Sequence, residues 1–152
     1  IYYGRPIGDF GTEYTYRAMV ALVGLGANTV DVAIYPKTTV DQNGEALTGE
    51  KAYTLHFDTL PPTLEGGFWS VTAYGEDDFL IDNSIDRYCI NDRSAFKLNE
   101  DGTLDIVLSK EAPEDTSNWL PVSDGDFHLF MRIYLPDMTA LDTWQPPVIR
   151  EQ

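Results

Sequence analysis

The residues able to do chemistry crowd into the middle of this chain. Glu76-Asp77-Asp78, Asp82 and Asp86 form its densest group of carboxylates, and Arg87 and Tyr88 follow at once. Two carboxylates flanking one bond, about 5–9 Å apart, are the equipment of a glycoside-type hydrolase. A solvated acidic loop would carry the same residues with no chemistry at all. Arg87 is the only basic residue between Lys51 and Arg93, and it lies among Asp82, Asp86 and Asp92. Its planar guanidinium suits either a clamp between two loops or the capture of an anion. With His128 these residues make the set that a hydrolase or lyase would use: Asp82, Asp86, Arg87 and His128. Ser70, His56 and Asp58 or Asp82 supply the residue types of a Ser-His-Asp triad. Yet no serine sits in a Gly-x-Ser-x-Gly elbow, and Ser70 belongs to a strand that reads as core-facing, in alternation with Trp69 and Val71. No residue is therefore assigned a catalytic role.

Other chemistries find less support. His56, His128 and Cys89 are the only nitrogen or sulfur donors for zinc, and no pair of them has ligand spacing. The carboxylates suit calcium better. However, Asp41-Gln42-Asn43-Gly44 and Asn99-Glu100-Asp101-Gly102 put glycine at the fourth position, as in a hairpin, and not at the sixth, as in an EF-hand loop. No metal and no cofactor are expected. Cys89 stands alone, which excludes an internal disulfide, and between Tyr88 and Ile90 it reads as a buried, inert thiol. Trp69 lies within a strand and is expected in the core. Trp119 and Trp144 sit beside prolines in loops, where an indole either seals the end of a sandwich or stacks on a flat ligand. The candidate binding residues are Asp82, Asp86, Arg87, Tyr88, Trp119 and Trp144.

The elements that must position these residues are mostly strands. Residues 12–24 read as the one helix of length, because Tyr14, Ala18, Ala21 and Leu22 follow i, i+4, i+7, i+8 spacing. Thr12 or Asp9 is a cap candidate, and Gly24 or Gly26 a stop. The half from Met19 to Val23 is apolar nearly all round, which predicts deep packing. From residue 30 the pattern turns to strands: Val30–Tyr35, Tyr53–Asp58 with strict alternation, Phe68–Tyr74, Phe79–Ile81, Leu104–Ser109 and Phe127–Leu135. Met138–Asp142 reads as one helical turn and Trp144–Ile149 as an extended tail. Short strands parted by turn signals predict a mainly β fold, an antiparallel β-sandwich of jelly-roll type with one N-terminal helix. Residues 1–152 make one domain, with 1–29 as a helical segment and 30–152 as the sandwich.

Composition limits the partners. The 152 residues carry ten Lys+Arg against 25 Asp+Glu, a net charge of −15. Residues 1–40 are neutral, with Arg5, Arg17 and Lys37 against Asp9, Glu13 and Asp31, so 41–152 hold the whole imbalance. Such a surface repels phosphate backbones and anionic membranes, so no nucleic-acid partner is expected. No apolar run reaches the roughly 18–20 residues of a transmembrane helix. The first residues, Ile1-Tyr2-Tyr3-Gly4, show neither an initiator Met nor a signal-peptide layout and read as the start of a processed or excerpted chain.

Several motifs in order give a family resemblance: Tyr16-Arg17-Ala18 with Gly24-Leu25-Gly26-Ala27-Asn28, Phe68-Trp69-Ser70-Val71-Thr72, Asp86-Arg87-Tyr88, Asn99-Glu100-Asp101-Gly102, Asn118-Trp119-Leu120-Pro121 and Trp144-Gln145-Pro146-Pro147. From about residue 14 to 150 the chain resembles the DUF1214 family, commonly the C-terminal part of DUF1254/DUF1214 proteins. The resemblance implies a β-sandwich and, from the family's frequent export signals, a secreted or periplasmic location. It carries no catalytic residues. Three functions follow as expectations. The first is a non-catalytic module that binds a small molecule or protein through loops around Trp119, Trp144 and Tyr88. The second is the hydrolase or lyase set above. The third is an assembly role, in which the N-terminal helix packs in a homo-oligomer or against a preceding domain.

Overall fold

The computed structural model describes residues 7–24 and 26–152. Two β-sheets face each other, and their inward side chains make one core. The five-stranded sheet runs β1 (Ala33–Ile34), β8 (Phe127–Pro136), β4 (Thr63–Gly75), β5 (Cys89–Asn91), with β2 (Lys37–Thr38) also paired to β8. The four-stranded sheet runs β7 (Trp119–Pro121), β6 (Leu104–Ser109), β3 (Tyr53–Phe57), β9 (Val148–Glu151). Every pairing is antiparallel except β6 with β7. The fold is mainly β, as expected from the sequence.

Alternation explains the core. Tyr53, Leu55 and Phe57 of β3 point inward against Trp69, Val71 and Ala73 of β4 and Leu129, Met131 and Ile133 of β8. Complete burial of such side chains stabilises by about 1.5–3 kcal/mol each. The long β4–β8 pair keeps register from Phe68↔Tyr134 to Gly75↔Phe127 and slips between Thr63 and Phe68. That slip requires glycine: a Cβ on Gly67 would stand 2.6 Å from the Tyr134 carbonyl oxygen. The Asn43-Gly44 turn has Gly44 at φ +84°, a backbone region where side chains are strained.

Several expectations are corrected. The helix α1 (Tyr14–Val23) forms, but it is not packed deeply. Tyr14 is 70% exposed, Met19 54% and Leu22 86%, while Val20 is buried. Its apolar stripe predicts a helix correctly, but the sandwich offers that stripe no cover. Its N-cap is Glu13, with no side-chain cap from Thr12 or Asp9. Phe79–Ile81 is no strand. Asp78 turns at φ +62°, only Leu80 bridges back to Tyr74, and Phe79 is exposed. Ser70 points outward, since Trp69 and Val71 take the two inward positions beside it. Cys89 is only partly buried. The strands β2, β5 and β7 were not expected, whereas the helical turn α2 (Met138–Leu141) was, and Asp137 caps it through Thr139 N and Ala140 N.

Candidate functional site

The loop between β4 and β5 is organised by an amide. Asn83 Oδ1 accepts from Ile85 N at 3.3 Å and Arg87 N at 3.0 Å, and its Nδ2 donates to the carbonyls of Ile81 and Arg87, both at 3.0 Å. This fold of the loop aims Arg87 across to the segment before β7. There Nη1 donates to the carbonyls of Thr116, Ser117 and Trp119. Among the described residues Arg87 forms no ion pair with any of the neighbouring aspartates. It is a clamp between two loops, built on backbone oxygens. Tyr88 donates its hydroxyl to Asp86 Oδ1 at 3.3 Å; desolvation and then the Asp86 charge hold the phenol above its ordinary range. Asp82 lines a shallow hollow of about 390 Å³ with Asn83, Ser84, Lys110, Trp119 and Asp124, and its charge also acts on the Tyr88 phenol.

The two loop tryptophans have different settings. Trp119 is buried in β7, 4% exposed, and its indole N–H donates to the Ser109 carbonyl at 2.9 Å. It seals rather than displays. Trp144 is partly buried; its indole N–H donates to the Thr59 carbonyl at 3.1 Å and its ring packs on the core.

The histidines stand on opposite outer faces, because Leu55 and Leu129 take the inward positions beside them. His56 Nδ1 lies 2.6 Å from Asp105 Oδ1, and its Nε2 3.2 Å from Asp58 Oδ1. The hydrogen bond with Asp105 raises its pKa, against the effect of burial and with help from Asp58. Ser70 occupies the outer face of the other sheet, so the residues proposed for a triad are separated by the sandwich. His128 Nε2 is 3.3 Å from Asp78 Oδ1, and its ring stacks on Tyr74. Burial first, then the Lys37 charge, lower its pKa. No hydrogen bond or ion pair among the described residues joins His128 to Asp82, Asp86 or Arg87.

The two glycine turns use their own carboxylates. Asp41 Oδ1 accepts from Asn43 N at 2.8 Å and Glu45 N at 3.0 Å, and Asp101 Oδ1 accepts from Thr103 N and Oγ1 at 3.0 and 2.7 Å. Among the described residues no group of three or more His, Cys, Asp or Glu side chains is placed to hold a metal.

A second polar hollow, of about 430 Å³, lies at the clamp and is lined by Arg87, Ile90, Ser94, Ala95, Thr116 and Ser117. A third concave site is apolar. Where β2 and β9 flank the sandwich, the two sheets part to leave an apolar cleft of about 160 Å³. Leu55, Val71, Leu129, Met131 and Ile149 form its floor, and Trp144, Pro146 and Pro147 stand over it. Pro36, Lys37 and Thr38 complete its rim. Thr38 pairs with Leu129, whose side chain is inward, so Thr38 points toward the cleft. Of the sequence candidates only Trp144 belongs to it. The Trp-Gln-Pro-Pro run was its one visible signal.

Residues 32–138 match the family model described as a protein of unknown function, DUF1214. The chain belongs to the DUF1214 family. No curated protein matches this DUF1214 chain. Among solved structures, the VPA0106 protein from Vibrio parahaemolyticus is similar at 30% identity and a TM-score of 0.77, over 90% of this chain and 34% of that one. An uncharacterized protein from Burkholderia cenocepacia is similar in fold, with 19% identity, a TM-score of 0.50, and 97% and 33% of the two chains covered. The DUF1214 chain thus spans about a third of the length of these relatives. Among its described residues no helix is long and apolar enough to cross a membrane.

Proposed function

We propose that this chain is a non-catalytic binding module whose seat is the apolar cleft beneath Trp144. The observation that carries the reading is a concave, almost wholly apolar space that reaches the core side chains Val71 and Leu129 and opens at a rim of prolines. Ligand sites are typically concave and apolar with a few polar groups. Apolar cavities of about 150 Å³ stay dry and accept a benzene-sized guest. The occupant is therefore a small apolar molecule, or one apolar side chain of a larger partner. The commitment of Arg87 to backbone carbonyls and the pairing of His128 with Asp78, not with Asp82 or Asp86, weigh against the hydrolase or lyase reading.

Toluene is a suitable probe. Saturating toluene should raise the melting temperature by mass action and shift the methyl resonances of Leu55, Val71, Leu129 and Ile149. Thr38→Phe, which plugs the cleft from its rim, should abolish both effects while leaving the fold intact. Toluene shifts that persist unchanged in Thr38→Phe, or none in the unaltered chain, would refute the cleft as a seat.

A second reading, an assembly role, is favoured by one observation: α1 exposes Tyr14, Met19 and Leu22 together. Exposed apolar stripes of this kind mark protein contacts.

A further inference from the structure

An antiparallel sheet that covers a core with one face generally turns polar residues to water on the other. The outer face of the five-stranded sheet is different. Along β8, His128, Phe130, Arg132 and Tyr134 occupy the outward positions, and β4 sets Tyr74, Thr72, Ser70 and Phe68 directly opposite them. Phe68 and Tyr134 stack with ring centroids 4.5 Å apart, and Tyr35 meets Tyr134 edge-on at 5.9 Å.

Arg132 sits in the middle of these rings. Its Nη1 donates to Thr72 Oγ1 at 3.2 Å and its Nη2 to the Tyr74 hydroxyl at 2.8 Å. The guanidinium carbon lies 5.4 Å from the Phe130 ring centre and 5.7 Å from that of Tyr74. Among the described residues Arg132 forms no ion pair, although the chain has 25 acidic side chains. A guanidinium has five N–H donors, so more than half of them have no protein acceptor here. Lys37 stands over Phe130 at 5.4 Å and Arg93 over Phe68 at 5.6 Å. Three of the chain's ten cations thus share one aromatic face.

We propose that this face docks an acidic polypeptide segment of a partner protein, one carboxylate of which takes Arg132 bidentately while its apolar side chains lie on Phe130 and Tyr134. Charge complementarity selects the carboxylate: an unpaired, half-buried arginine gains a charge-assisted double hydrogen bond only from an anion. Shape selects the polypeptide. From His128 to Tyr134 the array runs roughly 20 Å at about 3.4 Å per residue. It is a sheet face on which Phe130, Arg132 and Tyr134 are partly exposed, whereas small-molecule sites are concave. Tyrosine and arginine anchors are the usual composition of interface hot spots. A second copy fits poorly, since a two-fold contact through this face would set Arg132 against Arg132. The apolar cleft lies on the inner side of β8, and only Lys37 borders both it and this face.

The test uses a displayed library of random peptides, about a dozen residues long, selected on the intact chain and counter-selected on Arg132→Gln. Enriched peptides should carry Asp or Glu beside aromatic residues. A synthetic peptide of the winning sequence should bind Arg132→Gln about tenfold more weakly or worse. Arg132→Lys should fall between, since it keeps the charge and loses the fork. Replacing the peptide's acidic residue by its amide should cost a similar factor, and added salt should weaken binding. Unchanged melting of both variants keeps these losses local. Failure to enrich any peptide, enrichment of peptides without acids, or equal binding to Arg132→Gln overturns the proposal. So does a dimer of the intact chain that Arg132→Gln dissolves, because the occupant would then be a second copy.

Discussion

His56 and His128 should couple folding to pH in opposite senses. The hydrogen bond with Asp105 raises the His56 pKa above the roughly 6.5 of an unfolded chain. In the window from that value up to the folded pKa, the native state keeps a proton that the unfolded state has released. Its stabilisation is complete below the unfolded pKa and is lost as pH rises through the folded one. For His128, burial and the Lys37 charge depress the pKa. The unfolded chain then binds the proton first, so stability is lost as pH falls from about 6.5 through the folded pKa of His128. Thermal melts between about pH 5 and 9 should therefore decline on both sides, and His56→Gln should flatten the alkaline side alone. An alkaline decline that survives His56→Gln would show that the Asp105 pair is not its source.

At the level of elements, the Arg87 clamp decides how two loops meet. Its guanidinium reaches three carbonyls around residues 116–119, just where β7 begins. Arg87→Ala should cost about 2 kcal/mol, since those acceptors lose a charged donor. Arg87→Lys should recover little, because the lysine side chain ends one bond short of Nη1, the single nitrogen that reaches all three carbonyls. Urea unfolding of the two variants measures this, and a fully stable Arg87→Lys would mean that charge alone suffices. The sequence brought Arg87 to notice and offered the clamp, but its carbonyl partners lie about thirty residues on and leave no local trace. Alternation exposed β3, which is half buried over five residues, and a long, nearly all-apolar run exposed β8. Two- and three-residue strands such as β2 and β5 carry no period, and in β7 Pro121 disguises an edge strand. The cleft was illegible for a related reason: Trp144 reaches it only because β9 pairs with β3 across most of the chain.

Taken as a whole, the molecule has apolar surface left over in a place the sandwich cannot use. The stripe of α1 has the right spacing for burial, yet Leu22 is 86% exposed. A helical pattern records that a partner is needed and says nothing of where the partner is. If the stripe pairs copies of this chain, the charge of −15 must resist the contact. Salt that screens repulsion beyond about 10 Å should then promote association. Sedimentation at rising protein and salt concentration should show a reversible oligomer, and Leu22→Glu should abolish it. The same variant should leave monomer stability within about 0.5 kcal/mol, as for an exposed position. A loss of several kcal/mol would place Leu22 in the core after all. If the chain sediments as a monomer in high salt at the highest soluble concentration, self-pairing through α1 is excluded, and the stripe can serve assembly only through a different polypeptide.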